Sequence, residues 1–582
     1  MSGPARVWAP DASSVSCVLG EDGEQGTHPM IRDQGRVGWW LGPELASGTD
    51  YAFVVDGSGP LPDPRSAWQA HGVHGPSRAF DAAEHSWTDD SWAGIDARGA
   101  VHYELHVGTF TPRGTLDAID ERQLRDLAAR GIQMIELMPL AAFPGDRGWG
   151  YDGVALYSVH DAYGGPAALQ RLVDRAHAQG LGVCLDVVYN HLGPDGNYLA
   201  QYGPYFTDAH ETPWGWAVNV DQPGSEGMRG FIVDNALRWF EDFHVDALRL
   251  DAVHALVDDS SPHILAELAD ATARLATSMG RPLSLTAESD LNDASMVTPT
   301  AEGGLGMTAQ WADDVHHALH AYLTGETHGY YADFAGIAAL DKVYRHVFLH
   351  DGTFSTFRGE DWGRPVPADV DRRRFVVFAS NHDQVGNRAI GDRPSARLSQ
   401  GGQAASLALV LLSPFTPMLF MGEEYGETRP FMFFTDHDEP LGTAVSEGRM
   451  SEFAGHGWEE LYGGQVDVPD PQDRQTFLRS KLGSGVAATT DANRRIEAWV
   501  AAVMGARERT LSDDAWRRHP AGASESAPRQ LTMHGPVEVH ANLSAEPMRV
   551  EAGALLAAFG AATWTDGTLE LAPDAVALTT LG

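Results

Sequence analysis

Two cysteines, Cys17 and Cys184, are too few and too far apart in 582 residues to frame a disulfide scaffold. The fold must be held by packing and hydrogen bonds, and both thiols are expected to behave as small buried apolar groups. Lysine is almost missing, with Lys342 and Lys481 the only two. Together Lys and Arg number 41 against 80 Asp and Glu, a formal charge of −39. That shortage of cations excludes nucleic acid and anionic membrane as partners, because both are bound by clustered positive charge that displaces counterions. A neutral ligand fits the balance. No apolar run approaches the roughly 18 residues of a membrane span, and no basic-then-apolar leader opens the chain, so a cytoplasmic protein is expected. Internal repeats and low-complexity tracts are absent too.

What is present is a change of rhythm along the chain. One core rarely exceeds roughly 250 to 300 residues outside barrels, so several domains are expected. Residues 1–95 read as a small all-β sandwich, with short alternating pieces at Val15–Leu19, Val37–Leu41 and Tyr51–Val55 between Gly/Asp-rich turns. From Val101 apolar strands alternate with amphipathic helices. Strands are expected at Val101–Phe110, Ile132–Pro139, Leu181–Asn190, Val245–Ala252, Leu283–Ser289, Met307–Ala312, Phe375–Asp383 and Pro417–Glu423. Helices between them include Glu121–Arg130, Ala167–Gln179, Met228–Phe243, Pro262–Met279 and Ala396–Leu412. Eight βα units predict an α/β fold, a closed (β/α)₈ barrel over residues 96–510, whose chemistry lies at the C-terminal ends of the strands. After a last helix, Asp491–Arg507, and a Ser/Ala/Pro-rich loop, residues 525–582 return to alternation as a small β-domain.

The strand ends carry charge. The third closes with Asp186-Val187-Val188-Tyr189-Asn190-His191, the fourth with Arg249-Leu250-Asp251, the fifth with Glu288-Ser289-Asp290 and the seventh with Asn381-His382-Asp383. Burying one carboxylate costs several kcal/mol without a partner, and Arg249 is placed to be that partner. Singly, each has a plain structural reading: an internal ion pair, a loop anchor, a turn residue. Together, a barrel forces them into one basin. A metal site would use His191 and His382 as ligands. Glycosidic hydrolysis would use one carboxylate as nucleophile and a second, kept protonated, as general acid. Loop aromatics (Trp149, Tyr151, Tyr202, Tyr205, Trp214 and Trp216) offer flat faces for sugar rings and favour the second.

These four strand ends resemble the signature regions of the α-amylase superfamily. Within it, the chain is similar to the malto-oligosyltrehalose trehalohydrolase family through Leu248–Ala255, Thr286–Asn292, Asn381–Arg388, Phe433–His437 and Asp63–Ser66. The resemblance covers all three regions of the chain and implies a carbohydrate-binding-module-like N-terminal domain. It makes Asp251 the nucleophile, Glu288 the acid/base and Asp383 the residue that holds the 2- and 3-hydroxyls of the sugar under attack. Arg249 would keep Asp251 charged, His191 and His382 would donate to sugar hydroxyls, Tyr151 would stack under the reacting ring, and Asp186 would organise the site. The substrate implied is malto-oligosyltrehalose, the products trehalose and malto-oligosaccharides, and the pathway partner malto-oligosyltrehalose synthase. Asp290, Asn292, Asp313 and Gln384 are the nearest candidates to recognise the leaving trehalose.

Two departures from the wider superfamily matter. His254-Ala255 stands where many amylases have Lys-His, which argues against plain starch hydrolysis. Asn190 fits a calcium-binding position of many amylases, but the other ligands cannot be identified, so no required metal or cofactor is expected. The alternatives are an α-glucan branching transferase, disfavoured by Gln384 where such enzymes typically carry Glu, and a catalytically dead glucan-binding protein, disfavoured by intact Asp251, Glu288 and Asp383.

Overall fold

A computed structural model describes residues 3–21, 23–453, 462, 464, 466–483, 490–510 and 513–581, with only the backbone described at 510, 513, 514 and 517. Eight strands close into a parallel barrel: β1 His102–Leu105, β2 Met134–Leu137, β3 Gly182–Val187, β4 Ala247–Leu250, β5 Ser284–Ala287, β6 Ala309–Trp311, β7 Phe375–Phe378 and β8 Thr416–Phe420, with β8 pairing back onto β1. Each lies inside the stretch expected for it, except that Thr416 begins one residue early.

Alternation decides what the barrel holds. Along β2, Ile135 and Leu137 join the large core under the helices, while Met134 and Glu136 belong to the other face. The floor is apolar, with Met134, Cys184 and Ala247 packed under Ala97. Ala309, Trp311, Val376, Phe378 and Met418 fill the β6–β8 side. Between these plugs lies a charged layer, in which Asp186 is in register with Arg249, and Arg249 with Thr286.

The helices follow local rules. Glu121–Ala129 starts with a capping box, Asp120 accepting from the Gln123 amide while Gln123 returns to the Asp120 amide, a device worth about 1 kcal/mol. Several expectations shift. Val107–Phe110 is a helical turn rather than an extension of β1, because a short apolar run has no period that separates the two. Asp383 lies on a short helix, His382–Gly386, capped by Asn381, and not on β7. Asp313, expected in a loop, opens the helix Asp313–Thr324 directly after β6. Leu441–Phe453 is a helix with only Gly442 and Phe453 buried, so it shows no apolar stripe.

On the N-terminal side, Pro4–Trp8, Trp39–Glu44 and Ile31–Arg32 form one sheet, and five strands around Val15–Leu19 and Asp50–Val55 form a second. Val37, expected in a strand, is 94% exposed beside Gly38, whose positive φ turns the chain. Arg65 clasps this part to the barrel, donating to Asp234 and to the Tyr157 hydroxyl at 2.8 Å each. Asp63 holds the Arg65 amide at 2.8 Å, so the Asp63–Ser66 motif fixes the backbone that carries the clasp. The C-terminal sheets begin at Gly522–Ala527, in the stretch expected to be a loop, and dock through Tyr322, whose hydroxyl donates to Glu525 at 2.6 Å. No described helix is long and apolar enough to cross a membrane. Cys17 and Cys184 are both free and buried.

Candidate active site

Arg249 rises from the middle of β4 and is fully buried. Its guanidinium meets three carboxyls: Asp186 at 2.7 and 2.8 Å, Asp251 at 2.9 Å and Glu288 at 2.7 Å. A guanidinium spreads its donors in a plane, which is why one arginine can join the ends of β3, β4 and β5 where a lysine could not. Burial pushes Asp186 up to about 7, with Arg249 opposing and the Asp251 charge adding to the rise. Glu288 is raised for the same leading reason: burial outweighs the attraction of Arg249, and the neighbouring Asp251 adds to it. A carboxyl so placed can hold a proton while its neighbour attacks.

The backbone after Asp251 is unusual. Ala252 is left-handed, φ 37° and ψ 50°, a region disfavoured for a residue with a Cβ. The turn aims the Ala252 amide at Glu288 Oε2, 2.8 Å away. Asn190 donates to Asp251 at 3.2 Å and to the Ala252 carbonyl at 3.3 Å, bracing the same turn from the loop after β3.

Asp383 accepts from Asn387 at 2.6 Å, and burial raises it, His382 opposing. Tyr151 stacks on His382 at 5.1 Å and donates to Asp186 at 2.7 Å. The loop carrying it is held by the Phe433–His437 segment and the residue before it: Asp436 pairs with Arg147 at 2.6 Å, and the Trp149 indole donates to the Met432 carbonyl at 3.0 Å. His191 stacks on Trp214 at 4.3 Å. Its ring nitrogens face Asn190 Oδ1 and the Tyr151 carbonyl, and burial lowers its pKa, so a neutral ring donates to one of them at a time.

Of the residues read from the sequence, Asp186, Arg249, Asp251, Glu288, Tyr151 and His382 are linked to one another by direct contacts, Asp383 follows His382, and His191 joins through Tyr151. The candidates for the leaving group divide. Asp290 pairs with Arg358, and its carbonyl accepts from Trp362 at 2.8 Å. Asn292 spends its amide on Asp314 and the His350 carbonyl, bracing the loop. Gln384 Oε1 accepts from the Asn381 amide at 3.0 Å in a capping box. Asp313 differs: with His317 and Asp290 it lines a small pocket of about 30 Å³, and its Oδ1 is buried with no partner. Burial, then the charges of Glu288 and Asp383, raise its pKa well above the ordinary carboxyl value, which favours the protonated form. Tyr202 and Tyr205, read as loop aromatics, are core: Tyr202 donates to the Pro62 carbonyl at 2.8 Å and Tyr205 meets Trp8 edge-on.

Sequence reading missed Glu104 on β1, which takes His382 Nδ1 at 2.6 Å. A charge inside Tyr103-Glu104-Leu105 was the signal, of the same kind that marked Arg249. Among the described residues, His191 and His382 join no group of three side chains close enough to share an ion. Among the described residues the group close enough to share an ion is His210, Asp221 and Asp259, where His210 already pairs with Asp221 at 2.8 Å.

The catalytic-domain model of the α-amylase family matches residues 78–222. A malto-oligosyltrehalose trehalohydrolase of Arthrobacter ramosus is 54% identical over 82% of this chain and 82% of its own. One from Mycobacterium tuberculosis H37Rv is 45% identical over 98% of each. A solved Salmonella typhimurium chain described as a candidate alpha amylase superposes with a TM-score of 0.87 at 34% identity, over 100% of this chain and 99% of that one. With that likeness running the length of the chain and the carboxyls gathered on Arg249, the protein belongs to the malto-oligosyltrehalose trehalohydrolase family.

Proposed function

We propose that the chain is a retaining glycoside hydrolase that cuts the α-1,4 bond next to the terminal trehalose unit of malto-oligosyltrehalose, releasing trehalose and a malto-oligosaccharide. The observation that carries the chemistry is the single guanidinium of Arg249 joining Asp251 and Glu288, one carboxyl at each end of adjacent strands. In the first step Asp251 bonds to the anomeric carbon as the bond to the trehalose oxygen breaks, and Glu288 gives that oxygen its proton. In the second, water attacks the same carbon, Glu288 takes a proton from it, and Asp251 leaves as carboxylate. Asp383 and His382 hold the hydroxyls of the reacting ring, Tyr151 supports its face, and Asp186 keeps Arg249 and Tyr151 in place. His191 and Trp214 extend the wall beside Tyr151.

On the leaving-group side, trehalose is bent at its 1,1-linkage and has no reducing end, so recognition needs polar groups that a maltose unit would leave unpaired. Asp313 supplies one, a buried carboxyl whose Oδ1 has no partner, in the small pocket beyond Asp290. Asp290 and Asn292 shape that pocket, and Gln384 offers its Nε2. Residues 1–95 serve as a carbohydrate-binding-module-like domain, 96–510 as the catalytic barrel and 525–582 as a supporting β-domain. The two buried thiols suit a cytoplasmic setting, where a malto-oligosyltrehalose synthase would supply the substrate; nucleic acid and membrane have no part in the reading.

The test is to offer malto-oligosyltrehalose and maltoheptaose side by side and resolve the products by chromatography. Trehalose from the first, with slow shortening of the second, is expected; equal shortening of both without trehalose contradicts the reading.

A further inference from the structure

Glu104 lies on β1, nearly fully buried, and none of the roles above uses it. It grips His382 at two points. Oε1 is 2.6 Å from the ring Nδ1, and Oε2 accepts the His382 backbone N–H at 2.8 Å. The ring is also walled by Tyr151, stacked at 5.1 Å, and by Trp149, edge-on at 5.4 Å. Its other nitrogen, Nε2, has no hydrogen-bond partner among the described residues, so it is left for a ligand.

We propose that Glu104 is the positioning residue for His382, a carboxylate that takes the Nδ1–H and the backbone N–H together and thereby makes Nε2 a donor to the sugar bound beside Asp383. The proposal rests on the glycosidase reading of the site. A neutral imidazole has one donor and one acceptor, so a ring that gives Nδ1–H to Glu104 would turn a bare Nε2 toward the sugar. Only the imidazolium donates from both nitrogens. Burial alone would lower the His382 pKa, but the charge and hydrogen bond of Glu104, with Asp383 adding, reverse this and hold it at about 9. Arg249 on β4 opposes them. Glu288 on β5 and His106 feel the resulting positive charge, and Glu423, near Glu104, is itself pushed up to about 7, chiefly by burial. Tyr151, which packs on the ring, stays un-ionised because burial raises it far above neutrality.

Nitrogen-15 NMR of the full chain with labelled histidine, assigned by the signal lost in His382→Gln, reads the state of the ring without substrate. In the unsubstituted protein His382 should stay imidazolium through pH 8. In Glu104→Gln, which keeps the shape and removes the charge, its titration should fall by at least about one unit toward 6.5, the ordinary value. The alkaline limb of kcat/KM on malto-oligosyltrehalose should move by the same amount. Titration of His382 at or below pH 7 in the unsubstituted protein overturns the proposal, and that measurement does not depend on a Glu104 variant folding. An unmoved limb in Glu104→Gln, with only a lower thermal midpoint, overturns it as well by making Glu104 merely structural. Because the ring titration involves no cleavage, it stands or falls separately from the trehalohydrolase reading.

Discussion

The amide of Ala252 donates to Glu288 at 2.8 Å, and Ala252 itself is left-handed. Strain of about 1 kcal/mol or more is thus stored one residue after Asp251, in a turn whose amide is a donor on the opposite carboxyl. Ala252→Val, with a branched Cβ in that region, should lower stability by roughly 2 kcal/mol and also cut kcat. Ala252→Gly should stay within about 1 kcal/mol of the parent, since relief of strain and loss of chain stiffness oppose each other. Denaturant unfolding beside trehalose release checks both; a valine variant as stable and active as the parent would show that the turn is not needed.

Asp251→Asn should bind malto-oligosyltrehalose nearly as well as the parent while kcat falls by roughly four orders of magnitude, because the bond it makes exists only along the reaction. Binding is read by calorimetry and turnover by trehalose release. More than about a tenth of the parent activity removes Asp251 from the nucleophile's role.

Retention makes a stereochemical claim. Both carboxyls are tied to one guanidinium, and if they stand about 5 to 5.5 Å apart the reaction is two displacements, Asp251 first and then water, which return the α-anomer. Proton NMR in the first minutes of reaction should show the new reducing end as α before mutarotation. An initial β signal would mean a single displacement by water.

Gln384→Glu keeps the oxygen that caps Asn381 but removes the Nε2 donor, so it separates cap from contact. Trehalose release should fall more than hydrolysis of ordinary malto-oligosaccharides. Equal losses confine Gln384 to its cap.

Glu326 is buried and paired with His320 at 2.8 Å and with Arg388 at 2.9 and 3.0 Å, with Arg397 at 3.2 Å. Burial works against the charge, but these partners hold the carboxyl well below the usual range. A depressed folded pKa gives stability that is present above the unfolded value near 4.3 and lost as pH falls. Glu326→Gln should therefore cost on the order of 3 kcal/mol at pH 7, by removing the charge that three cations share although Arg388 keeps Asp392, and the gap to the parent should narrow as the pH drops below about 4. Thermal melts across pH 7 to 3 test the sign; a gap that widens in acid would reverse it.

What could be read from the chain depended on how local the signal was. The barrel strands are apolar runs bounded by turns, and the motifs around Asp251, Glu288 and Asp383 are contiguous, so both were legible. Asp383 was nonetheless placed on a strand, because a five-residue helix is set by one cap, Asn381, and by no period. Glu104 escaped because its partner, His382, lies 278 residues away and only closure of the barrel brings them together. Asn292 and Gln384 looked like sugar contacts in sequence; in the fold their amides are already partly spent on loop and cap, which no spacing reveals.

The floor of the barrel bears on the chemistry at its mouth. Ala97 covers Met134, Cys184 and Ala247, and its carbonyl accepts from His102 at 3.0 Å. Below β4, Asp246 has no exposed surface and is held by Trp92, His177 and Arg281. Among the described residues the chamber around Arg249 is therefore floored by apolar packing and by a carboxylate tied on three sides, and a glucan bound at the strand C-termini would stopper the vessel at its mouth.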